Sequence, residues 1–257
     1  MDERSGQPPG SAEVAAAPIA VAPREPRQRW RVTFRRGSGA PAVTHREVAD
    51  TWMASLAEAG LPLLHAEGSK RRPPLTFAAP LPLGMPVEAD LADLFLAERC
   101  LAWDVRDRVS AAGPDGIDVV ALHDVWLGAP ALSAVAAAAD YRVELEGDAP
   151  AGVAPAAQAL LAAPSIPRRR QKGNGTVEYD LRPLVDSIDL DRVGGTAVLR
   201  VRTRFHPERG SGRPEEVVAA LGDVLGRPLA VTGTVRERIL TIDEIEATEP
   251  EIRGSRR

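Results

Sequence analysis

Trp30-Arg31-Val32-Thr33-Phe34-Arg35 alternates apolar and polar side chains with period two, the pattern of a strand buried on one face. Beyond a Gly/Pro loop, Thr44-His45-Arg46-Glu47 has the form of a capping box, in which Thr44 and Glu47 satisfy free backbone donors at a helix start. Val48, Trp52, Leu56 and Ala59 then recur at helical spacing, and Gly60 supplies the stop. Outward from this strand–helix pair, residues 75–79 read as a second strand, closed by Pro80-Leu81-Pro82-Leu83-Gly84. Residues 89–97 read as a third strand, marked by Leu91, Leu94 and Leu96 with imperfect phase. Leu101, Val105 and Val109 space a second helix ending at Gly113-Pro114, and residues 117–126 form a fourth strand. The order is βαββαβ. Right-handed crossovers and one covered sheet face give it a ferredoxin-like form.

Residues 127–137 are small and apolar and read as a linker; the run 136–139 fits a helix turn or a strand start. The cycle then returns. Strands are expected at 141–145, 166–171, 176–181, 196–204 and 231–242, with helices at 155–163 and from Pro214 to the stop at Gly226. Lys172-Gly173-Asn174-Gly175 is a hairpin signal, because Asn and Gly accept positive φ. The expected architecture is α+β: two tandem ferredoxin-like (βαββαβ-type) sandwiches with antiparallel sheets, over residues 28–127 and 138–245. A disordered leader at 1–27 and a flexible charged tail at 246–257 flank them.

Composition narrows the function classes. The 257 residues carry a net charge of −4, which argues against indiscriminate nucleic-acid binding. Cys100 is the single cysteine, so the chain forms no internal disulfide or Cys-ligated cluster, and a cytoplasmic location is expected. No apolar run approaches the roughly 20 residues that span a bilayer, so no membrane association is expected. His45, His65, His123 and His206 are scattered, without metal-ligand spacing. Neither G-x-G-x-x-G nor G-x₄-G-K-[ST] occurs, and no cofactor or metal is expected.

Three basic clusters remain: Arg29/Arg31/Arg35/Arg36, Lys70-Arg71-Arg72, and Arg168-Arg169-Arg170 with Lys172. On a strand, Arg29, Arg31 and Arg35 share the face opposite Trp30, where they would either track phosphates or lie solvated beside acids. Arg168, Arg170, Asp180 and Arg182 gather around one hairpin. The loop His65-Ala66-Glu67-Gly68-Ser69-Lys70-Arg71-Arg72-Pro73-Pro74 packs a carboxylate, a glycine, three cations and two prolines between apolar elements, more than a turn needs.

Several of these segments together resemble the radical SAM-linked protein family, a domain of unknown function encoded beside or fused to a cobalamin-binding radical SAM protein. The resemblance rests on residues 31–34, Thr44-His45-Arg46-Glu47, Ala59-Gly60-Leu61-Pro62, Glu67-Gly68, Arg72-Pro73, Leu81-Pro82-Leu83-Gly84 and Asp180-Leu181-Arg182-Pro183, and covers roughly residues 28–240. The family loop usually reads Glu-Gly-Phe-Asn-Pro-Arg-Pro; here Ser69-Lys70-Arg71 stand in place of Phe-Asn-Pro. What the resemblance implies is an accessory module, docking on the radical SAM partner that holds the cluster, with RNA as a second expected ligand. The expected contact residues are His45, Glu67, Gly68, Arg72, Pro73, Arg168, Arg170, Asp180 and Arg182. Two alternatives stand beside it: an enzyme using His45 with Glu67 or Asp180 as acid and base on RNA or a metabolite, and a structural protein–protein adaptor.

Overall fold

A computed structural model describes residues 25–64, 73–148, 151–172 and 175–248. The first strand, β1 (Gln28–Arg36), puts Trp30, Val32 and Phe34 on the core side as its alternation requires. Helix α1 (His45–Glu58) starts at the capping box: Glu47 N–H donates to Thr44 Oγ1 at 3.3 Å, and Thr44 N–H donates to Glu47 Oε2 at 2.7 Å. Val48, Trp52 and Leu56 form its buried face. Trp52 meets Phe34 edge-on with ring centroids 4.9 Å apart, and Phe34 meets Phe77 at 5.7 Å. After this helix come β2 (Leu75–Phe77), β3 (Val87–Leu96), α2 (Ala102–Ala111) and β4 (Ile117–Asp124). Val105 and Val109 of α2 are buried as expected. Leu101, expected on the same face, is the N-cap residue and points outward.

The second half runs α3 (Leu132–Val135), β5 (Ala136–Leu145), α4 (Val153–Ala162), β6 (Pro167–Lys172), β7 (Gly175–Asp180), β8 (Val185–Val193), β9 (Thr196–His206), β10 (Gly210–Ser211), α5 (Pro214–Leu225), β11 (Val231–Thr241) and α6 (Ile242–Thr248). The alanine run is therefore the start of a strand. Strand β8 was not expected. It forms a hairpin with β9 around Gly194-Gly195, whose φ values of +58° and +88° suit the mirror-image turn of a two-residue hairpin.

Among the described residues, nine strands form one mixed, mostly antiparallel sheet, with the order β10-β9-β5-β11-β3-β1-β4, β2 beside β3 and β8 beside β9. Strands β6 and β7 form a separate two-stranded hairpin. The fold is mixed α+β, with two large apolar cores and a small third cluster of Ala138, Leu240 and Ile245 among the described residues. One large core gathers Trp30, Phe34, Trp52 and Leu94; the other gathers Tyr141, Val201, Leu221 and Ile239. The imperfect phase of β3 has a structural cause. Residues 92–96 are all buried, because Ala92, Leu94 and Leu96 meet the first core while Asp93 and Phe95 lie under Arg29 on the other side.

Trp52 is fully buried and central to the ring cluster, so Trp52→Ala should lower unfolding free energy by about 3–5 kcal/mol in denaturant titrations. A loss below about 1 kcal/mol would show that the aromatic cluster does not hold this core.

Candidate functional site

The two halves meet where β11 runs parallel to β3, at only two register pairs, Arg236 with Val87 and Arg238 with Ala89. Beside this seam Arg236 is buried. It donates through Nε to Asp90 Oδ1 at 2.8 Å, through Nη2 to Asp90 Oδ2, and through Nη1 to the Pro80 carbonyl at 3.1 Å. Burial pushes the Asp90 carboxyl above its ordinary value, against the pull of Arg236 and then Arg36. A register slip between Arg236 and Arg238 explains why Arg236 faces inward. Its neighbours take the charged outer side, with Glu237 on Arg142 at 3.0 Å and Arg238 on Asp140 at 2.9 Å.

A second slip, between Phe34 and Arg36 in the β1–β3 ladder, accompanies the burial of Arg36. Its Nη2 donates to the carbonyls of Pro82, at 2.5 Å, and Met85. The loop from Pro80 to Met85 is thus fastened by two buried arginines. His45, at the start of α1, fastens it a third time: its Nδ1 accepts the Leu81 N–H at 3.2 Å, and its ring meets Phe77 edge-on at 4.8 Å. Burial, and next the nearby Arg236 charge, hold the His45 imidazole below its ordinary pKa. The Leu81 donor assigns the remaining proton to Nε2.

Against this braced loop lies a groove of about 400 Å³. Leu81, Leu83 and Met85 of the loop and Phe205 of β9 give it apolar walls; Tyr141 and Arg236 line its inner side, and Arg213–Glu215 at the start of α5 closes it. The dimensions suit a small ligand, with a few polar groups converging on an apolar cleft.

The sequence-derived contact residues fall in different places. Glu67, Gly68 and Arg72 lie outside the described residues, and Pro73 is exposed just before β2. His45 braces the groove. Arg168 pairs with Asp223 of α5 at 2.5 Å, and Arg170 lies 5.2 Å over the Tyr179 ring. Asp180 accepts the Ile166 and Arg182 N–H groups at 2.7 and 3.0 Å. Burial alone would raise its pKa, but those two donors outweigh it and hold the carboxyl below its ordinary value. Arg182 donates to the carbonyls of Leu161, at 2.9 Å, and Val185, at 2.8 Å, tying the end of α4 to β8. Of the β1 cluster, Arg29 and Arg31 share Asp93, and Arg35 pairs with Asp118 at 2.8 Å. Sequence reasoning missed Asp90, Tyr141, Arg213 and Arg236. The available signal was carboxylates inside an apolar strand pattern, at Asp90 and Asp93.

Residues 29–214 match the model of a family described as an uncharacterized protein conserved in bacteria, DUF2344. The chain belongs to that family. Among curated proteins nothing matches it. Of solved structures, it is similar to a chain of a Cbf5–Nop10–Gar1 complex, at 13% identity and TM-score 0.44 over 80% of this chain and 48% of the other. It is also similar to a chain of an H/ACA RNP bound to a substrate RNA containing 2′-deoxyuridine (15%, 0.41, 80% and 47%). A third is from an archaeal box H/ACA sRNP Nop10–Cbf5 complex (12%, 0.39, 79% and 46%). The chain thus spans about half the length of each. No helix among the described residues is long and apolar enough to cross a membrane.

Removing the carboxylate by Asp90→Ala leaves Arg236 buried with no opposite charge, only the Pro80 carbonyl and the Tyr141 hydroxyl, and should lower unfolding free energy by about 3–5 kcal/mol. Denaturant titration measures it, and a near-neutral result would overturn the role given to this pair. His45 gives a pH signature. Its folded pKa lies below the unfolded value, so the unfolded chain takes up the proton first as pH falls. The stability His45 contributes is present above the ordinary histidine range and is lost as pH drops from the unfolded towards the folded pKa. The stability advantage of wild type over His45→Gln should therefore shrink between about pH 7 and pH 5. A pH-independent difference would contradict the assignment.

Proposed function

We propose that this protein is a non-catalytic accessory module that docks, in the cytoplasm, on a cobalamin-binding radical SAM protein. The observation that carries this reading is an apolar edge. Strand β4 ends the sheet, and around it Leu101, Trp103, Val120 and Trp126 are 64%, 63%, 57% and 77% exposed. Gln28 brackets both backbone groups of Cys100, and Arg29 C=O accepts the Val125 N–H at 2.8 Å, so residues 101–103 and 126 converge on the start of β1. Buried Arg29 also pins the carbonyls of Ala129 and Pro130 at 2.7 and 2.8 Å, holding in place the segment that presents Trp126. Two exposed tryptophans on a fastened scaffold suit a protein partner, since tryptophan dominates binding hot spots and large exposed apolar patches mark interfaces. The acid–base alternative through His45 and Glu67 draws less support, because the His45 Nδ1 lone pair is already occupied.

The same reading takes the scaffold as two tandem ferredoxin-like units joined edge to edge. What supports it is a repeated order: β4-β1-β3-β2 in the first half and β11-β5-β9-β8 in the second. In each, a unit's fourth, first, third and second strands stand side by side, all antiparallel. RNA remains a second reading on one observation, the exposed cations Arg169, Arg209 and Arg213 on or beside the β6–β7 hairpin.

The test is co-expression with the radical SAM protein encoded beside this chain. The complex should form, and Trp103→Ala with Trp126→Ala should weaken it by about thirtyfold or more while the melting temperature holds. No complex at micromolar concentrations, or one indifferent to both substitutions, would overturn the proposal. Binding to structured RNA that survives the double variant and falls with Arg169→Glu would favour the second reading.

A further inference from the structure

We propose that the seam groove is a ligand site for a small carboxylate with an apolar body. The inference stands apart from the docking reading, since the groove lies at the β11–β3 seam and the tryptophan edge lies across β1 at β4.

Tyr141 is only 4% exposed, yet it lines the groove. It is the register partner of Arg236, and the Arg236 guanidinium lies against its hydroxyl. An arginine only donates, so it occupies the phenol as an acceptor and leaves the phenolic proton over. That proton has no acceptor among the described residues. The hydroxyl is open to the groove, so an acceptor bound there can take its proton. Arg213 is exposed at the rim and joins no ion pair among the described residues. It is the N-cap residue of α5, whose first position is Pro214 and whose Glu216 N–H already bonds the Arg213 carbonyl, so the anion-binding group at this rim is the guanidinium itself. Phenol and guanidinium thus line one groove.

The remaining lining sets the ligand class. Leu81, Leu83, Met85 and Phe205 offer no hydrogen bonds and call for an apolar body. Glu215, exposed on the same rim, bears a negative charge that disfavours a dianion and tolerates a monoanion held by Arg213. A carboxylate meets these conditions better than a phosphate monoester. Arg236 is held by Asp90 and Pro80 and lies against the Tyr141 hydroxyl; it is a positioning residue for that hydroxyl.

The probes are 3-phenylpropionate, phenyl phosphate and inorganic phosphate, titrated against full-length protein carrying carbon-13-labelled tyrosine. The chain has two tyrosines, so Tyr141→Phe assigns the signals. We expect 3-phenylpropionate to shift the Tyr141 resonance saturably, to leave Tyr179 in place and to bind more tightly than either phosphate. Tyr141→Phe, which removes one oxygen, and Arg213→Ala, an exposed change, should each weaken binding about tenfold. Glu215→Gln should narrow the gap between the carboxylate and phenyl phosphate. An unmoved Tyr141 resonance, affinity unchanged in both variants, or tighter binding of phenyl phosphate to wild type would each overturn the proposal. The Trp103/Trp126 double variant should titrate like wild type, which separates a failure here from a failure of the docking reading.

Discussion

The fold depends on one buried contact, the guanidinium of Arg236 set against the carboxylate of Asp90. Residues 146 apart in sequence, on strands that share only two register pairs, are tied here by more than backbone hydrogen bonding. Such a pair is not a cheap source of stability, because both charges leave water. Its value lies in geometry. A forked donor meeting a two-oxygen acceptor permits one alignment of β11 against β3, and the third nitrogen fixes the loop at Pro80 in the same stroke. The groove, the orientation of Tyr141 and the surroundings of His45 follow from that alignment.

Arginine does elsewhere in this chain what large aromatic side chains do in many cores. Arg29, Arg36, Arg182 and Arg236 each reach backbone carbonyls and pin a connecting segment to the sheet or a helix end. With aromatics at 4% of the chain, a long apolar stem ending in a rigid fork of donors spans gaps that rings would otherwise fill. Of the stretches singled out in the sequence, Leu81–Gly84 is fastened by Arg36 at the Pro82 carbonyl, and Asp180–Pro183 supplies Arg182, which fastens Leu161 and Val185.

Much of the first half was legible because its signals are local. The capping box, the period-two run at Trp30 and the face through Val48, Trp52 and Leu56 each report on a few neighbouring residues, and each stands where it was expected. Strand β8 was missed because three aspartates interrupt its four apolar residues, of which only Val185 and Ile188 are buried, although Gly194-Gly195 marked its turn. The groove was not legible at all. Asp90 and Arg236 become partners only through the strand order, Arg36 and Arg236 both sit at register slips, and no periodicity announces a slip. The charge clusters left two readings open for a related reason: runs of arginine look the same in sequence whether water or a carboxylate stands opposite.

The seam has a further meaning for how the chain avoids other chains. A three-residue β2 leaves the start of β3 paired with β1 on one edge but without a neighbour from its own half on the other. Strand β11, outermost in the second half, would be the same. Laid against each other at Arg236–Val87 and Arg238–Ala89, the two margins cover one another over that stretch. Cut apart, each half would bare a sticky margin and strand one member of an ion pair, Asp90 in one piece and Arg236 in the other. The single chain supplies each half with the neighbour that keeps it from self-association.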